Sequence, residues 1–327
     1  MKPILIEVPT IFESMTVNCW LIKEPEPVLI DCGEKTEAVW EALNVGLKKE
    51  GLTIGDLKKV IITHAHLDHV GMAHQITQHS DAEIWISEPG LPWTDNLKGM
   101  LDARDQALIQ AFGEYIREIP PFKFGYKQLS PYWDEIPADR VKTFPLNGNI
   151  EIGGESWEVI HAPGHCINQT CFFHRQSGQL FSGDALMEII PPPIIDMSIE
   201  PPFERTQSMA MMLQTFQKLS ELPIKTVYPG HLNIIENVDE VIRKQIKRII
   251  HRKELCYQFI QEGMDNFYQL QEKIYPKRKV PPTFLMILGF LDLLKAEGKI
   301  AIERESKRIV CNSKNTDGTA AFSKKQC

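Results

Sequence analysis

Four side chains that can bind a metal ion crowd into THAHLDH, residues 63–69: His64, His66, Asp68 and His69. Imidazole and carboxylate are ligands for zinc, and also for manganese or iron. The stretch directly follows KKVIITH, a β-branched run that predicts a buried strand, so the cluster belongs to a loop at a strand's end. A helix would put His64 and Asp68 on one face and turn His66 away. A loop can aim His64 and His66 at one ion and Asp68 and His69 at a second. Four ligands complete neither of two sites, so others must come from later in the chain. Three fit: His165 in HAPGH, Asp184 in FSGDA and His231 in YPGH. Each sits beside a glycine, which lets the backbone turn tightly, and each follows a β-rich run. Two adjacent cations would acidify a shared water, giving a bridging hydroxide, and would polarise a carbonyl or phosphoryl oxygen. Asp68 is also expected to orient that nucleophile. No GxSxG motif offers a serine alternative.

The other histidines and the cysteines read differently. His161 precedes the HAPGH ligand and is a candidate for orienting it from behind. His74 and His79 fall on the helix after the metal loop and read as surface or packing residues, as do His174 and His251. The 7 cysteines are odd in number, scattered and without a CxxC pair, so no disulfide framework is expected. Cys166, next to His165, reads as a small residue filling a turn.

The elements that must position these residues alternate. NCWLI and PVLIDCG read as strands joined by a hairpin turn at KEPEP, residues 35–49 as an amphipathic helix with Val39, Leu43 and Leu47 on one face, and AEIWIS as a further strand. This rhythm predicts an α/β layered domain. Residues 88–140 interrupt it with prolines, a helix over 101–119 and clustered aromatics. They are expected to form a lid insertion, with Trp93, Tyr126 and Trp133 as substrate contacts. Strands return in ESWEVIHAPGH, TCFFHR and GQLFSGDA, followed by a helix over about 204–220 and the strand KTVYPGH. From about 236 the chain turns helical, with helices over 265–275 and 282–297, and residues 299–311 alternate like a β-hairpin. Three helices and a hairpin suggest a winged-helix-like domain over 236–312, and a disordered tail over 313–327.

THAHLDH, HAPGH, SGD and PGH in this order, with the earlier IDCG, resemble the metallo-β-lactamase superfamily over roughly residues 1–235. The resemblance implies a four-layer αββα sandwich with the site along one edge of its two sheets. It implies His64, His66 and His165 on the first metal, Asp68, His69 and His231 on the second, Asp184 bridging, and Asp31 ordering the metal loop by hydrogen bonds. The motifs look most like those of glyoxalase II, lactonases and thioesterase-like hydrolases. Asp184 stands where one large group of true β-lactamases has Cys, and His66 where diiron flavoproteins carry Glu. Two further departures are Leu232, where relatives often have Gly, and Gln169, where many have a second His.

The expected function is therefore hydrolysis of a small ester, thioester or lactone by a dinuclear centre, with zinc as the metal. Nucleic-acid processing is the first alternative and iron-dependent persulfide oxidation the second. The net charge of −7 is uneven: residues 1–238 hold 18 basic and 32 acidic residues, residues 239–327 hold 18 and 11. The basic segment Arg243, Lys244, Lys247, Arg248, Arg252 and Lys253, followed by Lys277, Arg278 and Lys279, could contact phosphates. It equally fits the wet face of a long helix, and the acidic body would repel a polyanion, so nucleic acid is not favoured. A small-molecule substrate and a possible homodimer are the partner expectations. No apolar run reaches the roughly 18–20 residues of a membrane span, and the N-terminus does not read as a leader, so a cytoplasmic protein is expected.

Overall fold

The computed structural model describes residues 2–12, 15–116, 130–199, 203–276 and 280–312. One mixed sheet runs in the order β1 (Ile4–Pro9), β2 (Thr16–Ile22), β3 (Val28–Ile30), β4 (Lys59–Ile61), β5 (Glu83–Ser87) and β6 (Val141–Phe144). A second runs β11 (Thr226–Pro229), β10 (Gln179–Gly183), β9 (Thr170–His174), β8 (Glu155–His161) and β7 (Asn147–Ile152). The strands after the hairpins β1–β2–β3 and β7–β8–β9–β10 are joined in parallel, as expected where helices form the crossovers.

Side-chain alternation makes the layers. Trp20 and Ile22 of β2, Ile61 of β4, Trp157 and Val159 of β8, Phe172 of β9 and Phe181 of β10 meet in one cluster between the two sheets. The alternate residues face outward. Val17, Cys19, Leu21, Leu29 and Val60 pack against helices α1 (Glu37–Lys49) and α3 (Ala73–His79), which follows the one-turn α2 (Leu67–Val70). Ile160, Cys171, Phe173, Leu180 and Val227 pack against α6 (Ser208–Ser220) and later helices. Strands buried on both faces read as continuous apolar runs, which explains VLI and TCFFH. The result is the expected αββα order.

Between β5 and β6 lie α4 (Pro92–Asp95) and α5 (Leu97–Tyr115). The helix expected over 101–119 thus starts earlier, and residues 117–119 fall outside the described residues. Leu97 and Leu101 join the first outer core, while Ala107, Ala111, Phe112 and Tyr115 join the second, so α5 ties the two together.

The C-terminal region contains α7 (Val238–Gln261), α8 (Phe267–Ile274), α9 (Pro281–Ala296) and a hairpin of β12 (Ile300–Ile302) with β13 (Ile309–Cys311). Its helices share one hydrophobic cluster with α5 and α6. Arg205 donates to Asp292 of α9 and Glu114 of α5, and Tyr115 donates to the same Asp292. Two of the expected phosphate-binding cations are engaged internally. Arg252 lies over the Tyr275 ring, and Lys253 is buried against Glu297 and Glu254. Arg243, Lys244, Lys247 and Arg248 lie along α7, with Arg243, Lys244 and Lys247 among its more solvent-facing positions. Lys277, Arg278, Lys279 and the tail 313–327 lie outside the described residues. Among the described residues, no helix is long and apolar enough to cross a membrane.

Candidate metal centre

Every strand that leads toward the centre stops short of the residue it delivers. β4 ends at Ile61, β8 at His161, β10 at Gly183 and β11 at Pro229. His64, His165, Asp184 and His231 therefore stand on turns past the sheet edges, as the glycine contexts anticipate. The two edges are stitched together there. Thr170 donates its backbone N–H and its hydroxyl to the Thr63 carbonyl, and Asn18 N–H donates to the Gly230 carbonyl. Residues 62–66 form the loop, but Asp68 and His69 stand on the one-turn helix α2 rather than on the loop itself.

Seven side chains converge. His66 Nδ1 lies 3.0 Å from His64 Nε2 and 2.8 Å from His165 Nε2. His231 Nε2 lies 3.4 Å from both Asp68 Oδ2 and Asp184 Oδ2. His69 Nε2 is 3.5 Å from Asp184 Oδ1 and 3.9 Å from Asp68 Oδ2. Asp184 also reaches the first trio, with Oδ2 3.4 Å from His165 Nε2. It thus stands between three histidines on one side and Asp68, His69 and His231 on the other.

The opposite nitrogen of four histidines is held from behind. Asp31 accepts from Thr63 N–H at 2.8 Å, from the Thr63 hydroxyl at 2.8 Å and from His69 Nδ1 at 2.8 Å. The Thr63 hydroxyl in turn accepts from His64 Nδ1 at 3.0 Å. His165 Nδ1 donates to the Pro192 carbonyl and His231 Nδ1 to the Thr16 carbonyl. A proton fixed on Nδ1 leaves Nε2 as the lone-pair donor, which is how outer partners prepare imidazoles for a metal. Asp31 carries φ of +59°, a left-handed backbone that non-glycine residues rarely adopt; its three hydrogen bonds hold it there. His161 Nε2 donates to the Ile167 carbonyl, bracing the turn that carries His165.

Protonation separates the two sides. Burial, reinforced by neighbouring imidazoles, holds His64 and His66 well below the usual histidine range, and burial lowers His165. These three are neutral and ready to donate lone pairs. Burial would lower His69 as well, but Asp31, Asp184 and Asp68 outweigh it and raise it to about 9. His231 is raised by Asp184 and Asp68 against the same burial. Asp184 and Asp68 stay ionised despite burial, because His231 and His69 hold both below the usual carboxylate range.

The donor set fits metal ions. Among the described residues, His69 Nε2 and Asp184 Oδ1 are buried without hydrogen-bond partners, a costly state for polar atoms unless something else satisfies them. Ligand atoms of Asp68, His69 and His231, and of His64, His69 and Asp184, lie within 4.8 Å of one another. A Cβ on Gly230 would come within 2.5 Å of Asp184 Oδ1 and 2.7 Å of His69 Cε1, so only glycine leaves the centre open. Zinc must displace a second proton from His69 and from His231, and an acidified water would give up another, so zinc uptake at pH 7 should release two or more protons per chain. Calorimetric titration in two buffers of different ionisation enthalpy measures this. Buffer-independent heats would contradict it.

The aromatic expectations need correction. Trp93 and Trp133 are only 2% and 4% exposed and stack on each other at 5.4 Å, so their faces serve the core rather than a substrate pocket. Tyr126 lies outside the described residues. Two residues to which the sequence reading gave no role in the site hold its ligands in place. Thr63 relays Asp31 to His64; its place before the first ligand was the available signal. Gln169 accepts from the Asp184 N–H at 3.2 Å, so the departure from a second histidine has a job in placing that carboxylate. Cys166 is buried, its Sγ within 4.8 Å of ligand atoms of His64 and His66 and donating to Asn168 Oδ1 at 3.2 Å. Leu232 has φ of +66°, which accounts for glycine at that place in relatives, and Asn18 Nδ2 donates to its carbonyl.

A family model described as the metallo-beta-lactamase superfamily matches residues 15–231, and the chain belongs to that superfamily. It is a metal-dependent hydrolase. It is 27% identical over 316 residues to YqjP of Bacillus subtilis (strain 168), named a probable metallo-hydrolase, covering 91% of this chain and 93% of that one. It is 29% identical over 174 residues to the hydroxyacylglutathione hydrolase GloC of Haemophilus influenzae, covering 52% and 67%. A crystal structure of a metallo-beta-lactamase family protein from Thermus thermophilus superposes with a TM-score of 0.78 at 21% identity, covering 95% of this chain and 98% of that one. That last likeness shows the fold, including its C-terminal part.

Proposed function

We propose that this chain hydrolyses a small ester, thioester or lactone at a centre of two divalent ions, zinc by preference. His64, His66 and His165 would hold one ion, Asp68, His69 and His231 the other, with Asp184 between them. When bound, the ions supply Lewis-acid polarisation of an acyl oxygen and acidify a water. The chain's own part is to keep that chemistry placed. Thr63, Asp31, Pro192 and Thr16 fix the imidazole orientations, and the buried carboxylates of Asp68 and Asp184 offset the cationic charge and accept a proton-bearing nucleophile's hydrogen bond.

The observation that carries this reading is the convergence of seven side chains from four strand-end turns around Asp184. The acyl class is supported by the likeness to a protein named as a hydroxyacylglutathione hydrolase, whose substrate name describes a thioester. The basic row Arg243, Lys244, Lys247 and Arg248 favours one second reading, a phosphodiesterase that binds its polyanion on α7.

Testing uses the zinc-loaded chain on S-acyl thioesters, lactones, aryl esters, bis(p-nitrophenyl) phosphate and single-stranded RNA. Thioester or lactone turnover should disappear on treatment with a zinc chelator and return with added zinc. Turnover confined to the phosphodiester or RNA would replace the acyl reading with the second. Activity indifferent to the chelator would remove the metal from the reaction altogether.

A further inference from the structure

The loop that carries His165 is tied to helix α5 by a buried ion pair. Arg104, midway along α5, places Nε 2.5 Å from Asp196 Oδ1, with the two side chains 3% and 4% exposed. Asp196 passes the contact on: its Oδ2 accepts from the backbone N–H of Ile167, two residues past His165, at 3.0 Å. Two more bonds join the same segments, from Ile194 N–H to the His165 carbonyl at 2.9 Å and from His165 Nδ1 to the Pro192 carbonyl at 2.9 Å. Asp196 is itself fixed, since its N–H donates to the Thr206 hydroxyl and its carbonyl accepts from Thr206 N–H. Behind the pair, the Arg104 guanidinium lies 4.1 Å from the centre of the Trp93 ring, which stacks on Trp133. The indoles that read as substrate contacts are the bed on which this cation rests.

Taking two charges out of water is expensive, and such a pair adds little net stability compared with an apolar substitute. Its geometry points instead to orientation. We propose that Arg104 is a positioning residue: through Asp196 it holds residues 165–167, and with them the His165 imidazole, in register with His64 and His66. The inference rests on the two-ion reading given above. It makes α5, inserted between β5 and β6, part of what determines affinity at the first ion and leaves the second ion to Asp31 and Thr16, which α5 does not touch through this pair.

Stepwise zinc affinities, measured by competition with a chromophoric chelator, test it. In the whole chain two steps are expected; His165→Ala should weaken one and Asp68→Asn the other. Arg104→Met should weaken the His165 step by about 10–100-fold, the scale seen when a ligand loses its outer partner. The Asp68 step should change much less, because the bonds from Arg104 through Asp196 run to Ile167 rather than to Asp68, His69 or His231, and only Asp184 is shared between the two sites. Arg104→Lys, which keeps the charge and loses the planar fork, should recover part of the loss. Should Arg104→Met fail to fold because Asp196 is left uncompensated, Arg104→Met with Asp196→Asn carries the same expectation. Equal weakening of both steps, or of neither, overturns the assignment while the two-ion reading stands. Absence of zinc binding by the unaltered chain removes that reading itself, and the inference with it.

Discussion

Asp184→Asn is expected to cost about 10³-fold or more in turnover and to leave the chain with fewer than two tightly held ions. The change is small in volume, so the argument is one of charge and lone pairs. Asp184 offers Oδ2 to His165 and His231 and Oδ1 to His69, and among the described residues Oδ1 has no hydrogen-bond partner of its own. An amide replaces one of these acceptors with an N–H₂ group that has no lone pair to give. It also deletes a negative charge from the middle of a cluster that must offset two dications in a buried place, where charges are screened least. A loss of about 4 kcal/mol at the transition state corresponds to roughly 10³-fold in rate. Metal content by elemental analysis and turnover on the best acyl substrate read the outcome. Two retained ions with turnover near that of the unaltered chain would remove Asp184 from its place between the ions.

The same residue shows what a sequence can and cannot say about such a centre. Asp184 and the six other converging side chains were legible because each lies in a short motif at a strand's end, a local pattern with a local cause. Asp31 was legible only by resemblance, and the structure shows why it matters: one carboxylate serves Thr63 and His69 at once. Arg104 and Asp196 had no such signature. They stand 92 residues apart, in a helix and a proline-rich segment, and nothing local marks either as half of a buried pair. Trp93 and Trp133 were misread for a related reason. Aromatic residues near a site suit both packing and substrate contact, and only burial separates the two. Among the strands, β2 and β9 announce themselves by apolar runs, whereas β6 and β7 carry mostly exposed side chains and escaped notice.

Removal of residues 236–327 is expected to leave a chain that does not fold cooperatively, rather than a hydrolase lacking an accessory module. Helix α9 buries residues on every side, among them Phe284, Leu288, Phe290, Leu291 and Leu294, and a helix apolar all round belongs inside a core. It approaches α6 closely enough that a Cβ on Gly289 would meet Met209 at 2.7 Å. Without it, Met209, Met212 and Phe216 of α6 and Phe112 and Tyr115 of α5 lose the surface they pack on. Each such side chain is worth about 1.5–3 kcal/mol when buried. Exposing five of them removes roughly the whole net stability of a domain, about 5–15 kcal/mol. Arg205 would also lose Asp292, a partner held by two hydrogen bonds. The centre would feel this directly, because Gln245 of α7 donates to the Met187 carbonyl, three residues past Asp184. Circular dichroism on heating, with binding of a hydrophobic dye, reads the prediction: a broad or absent transition and strong dye binding for residues 1–235. A sharp transition, two bound ions and intact turnover in that fragment would show instead that the basic C-terminal helices are a separable module, as their charge first suggests.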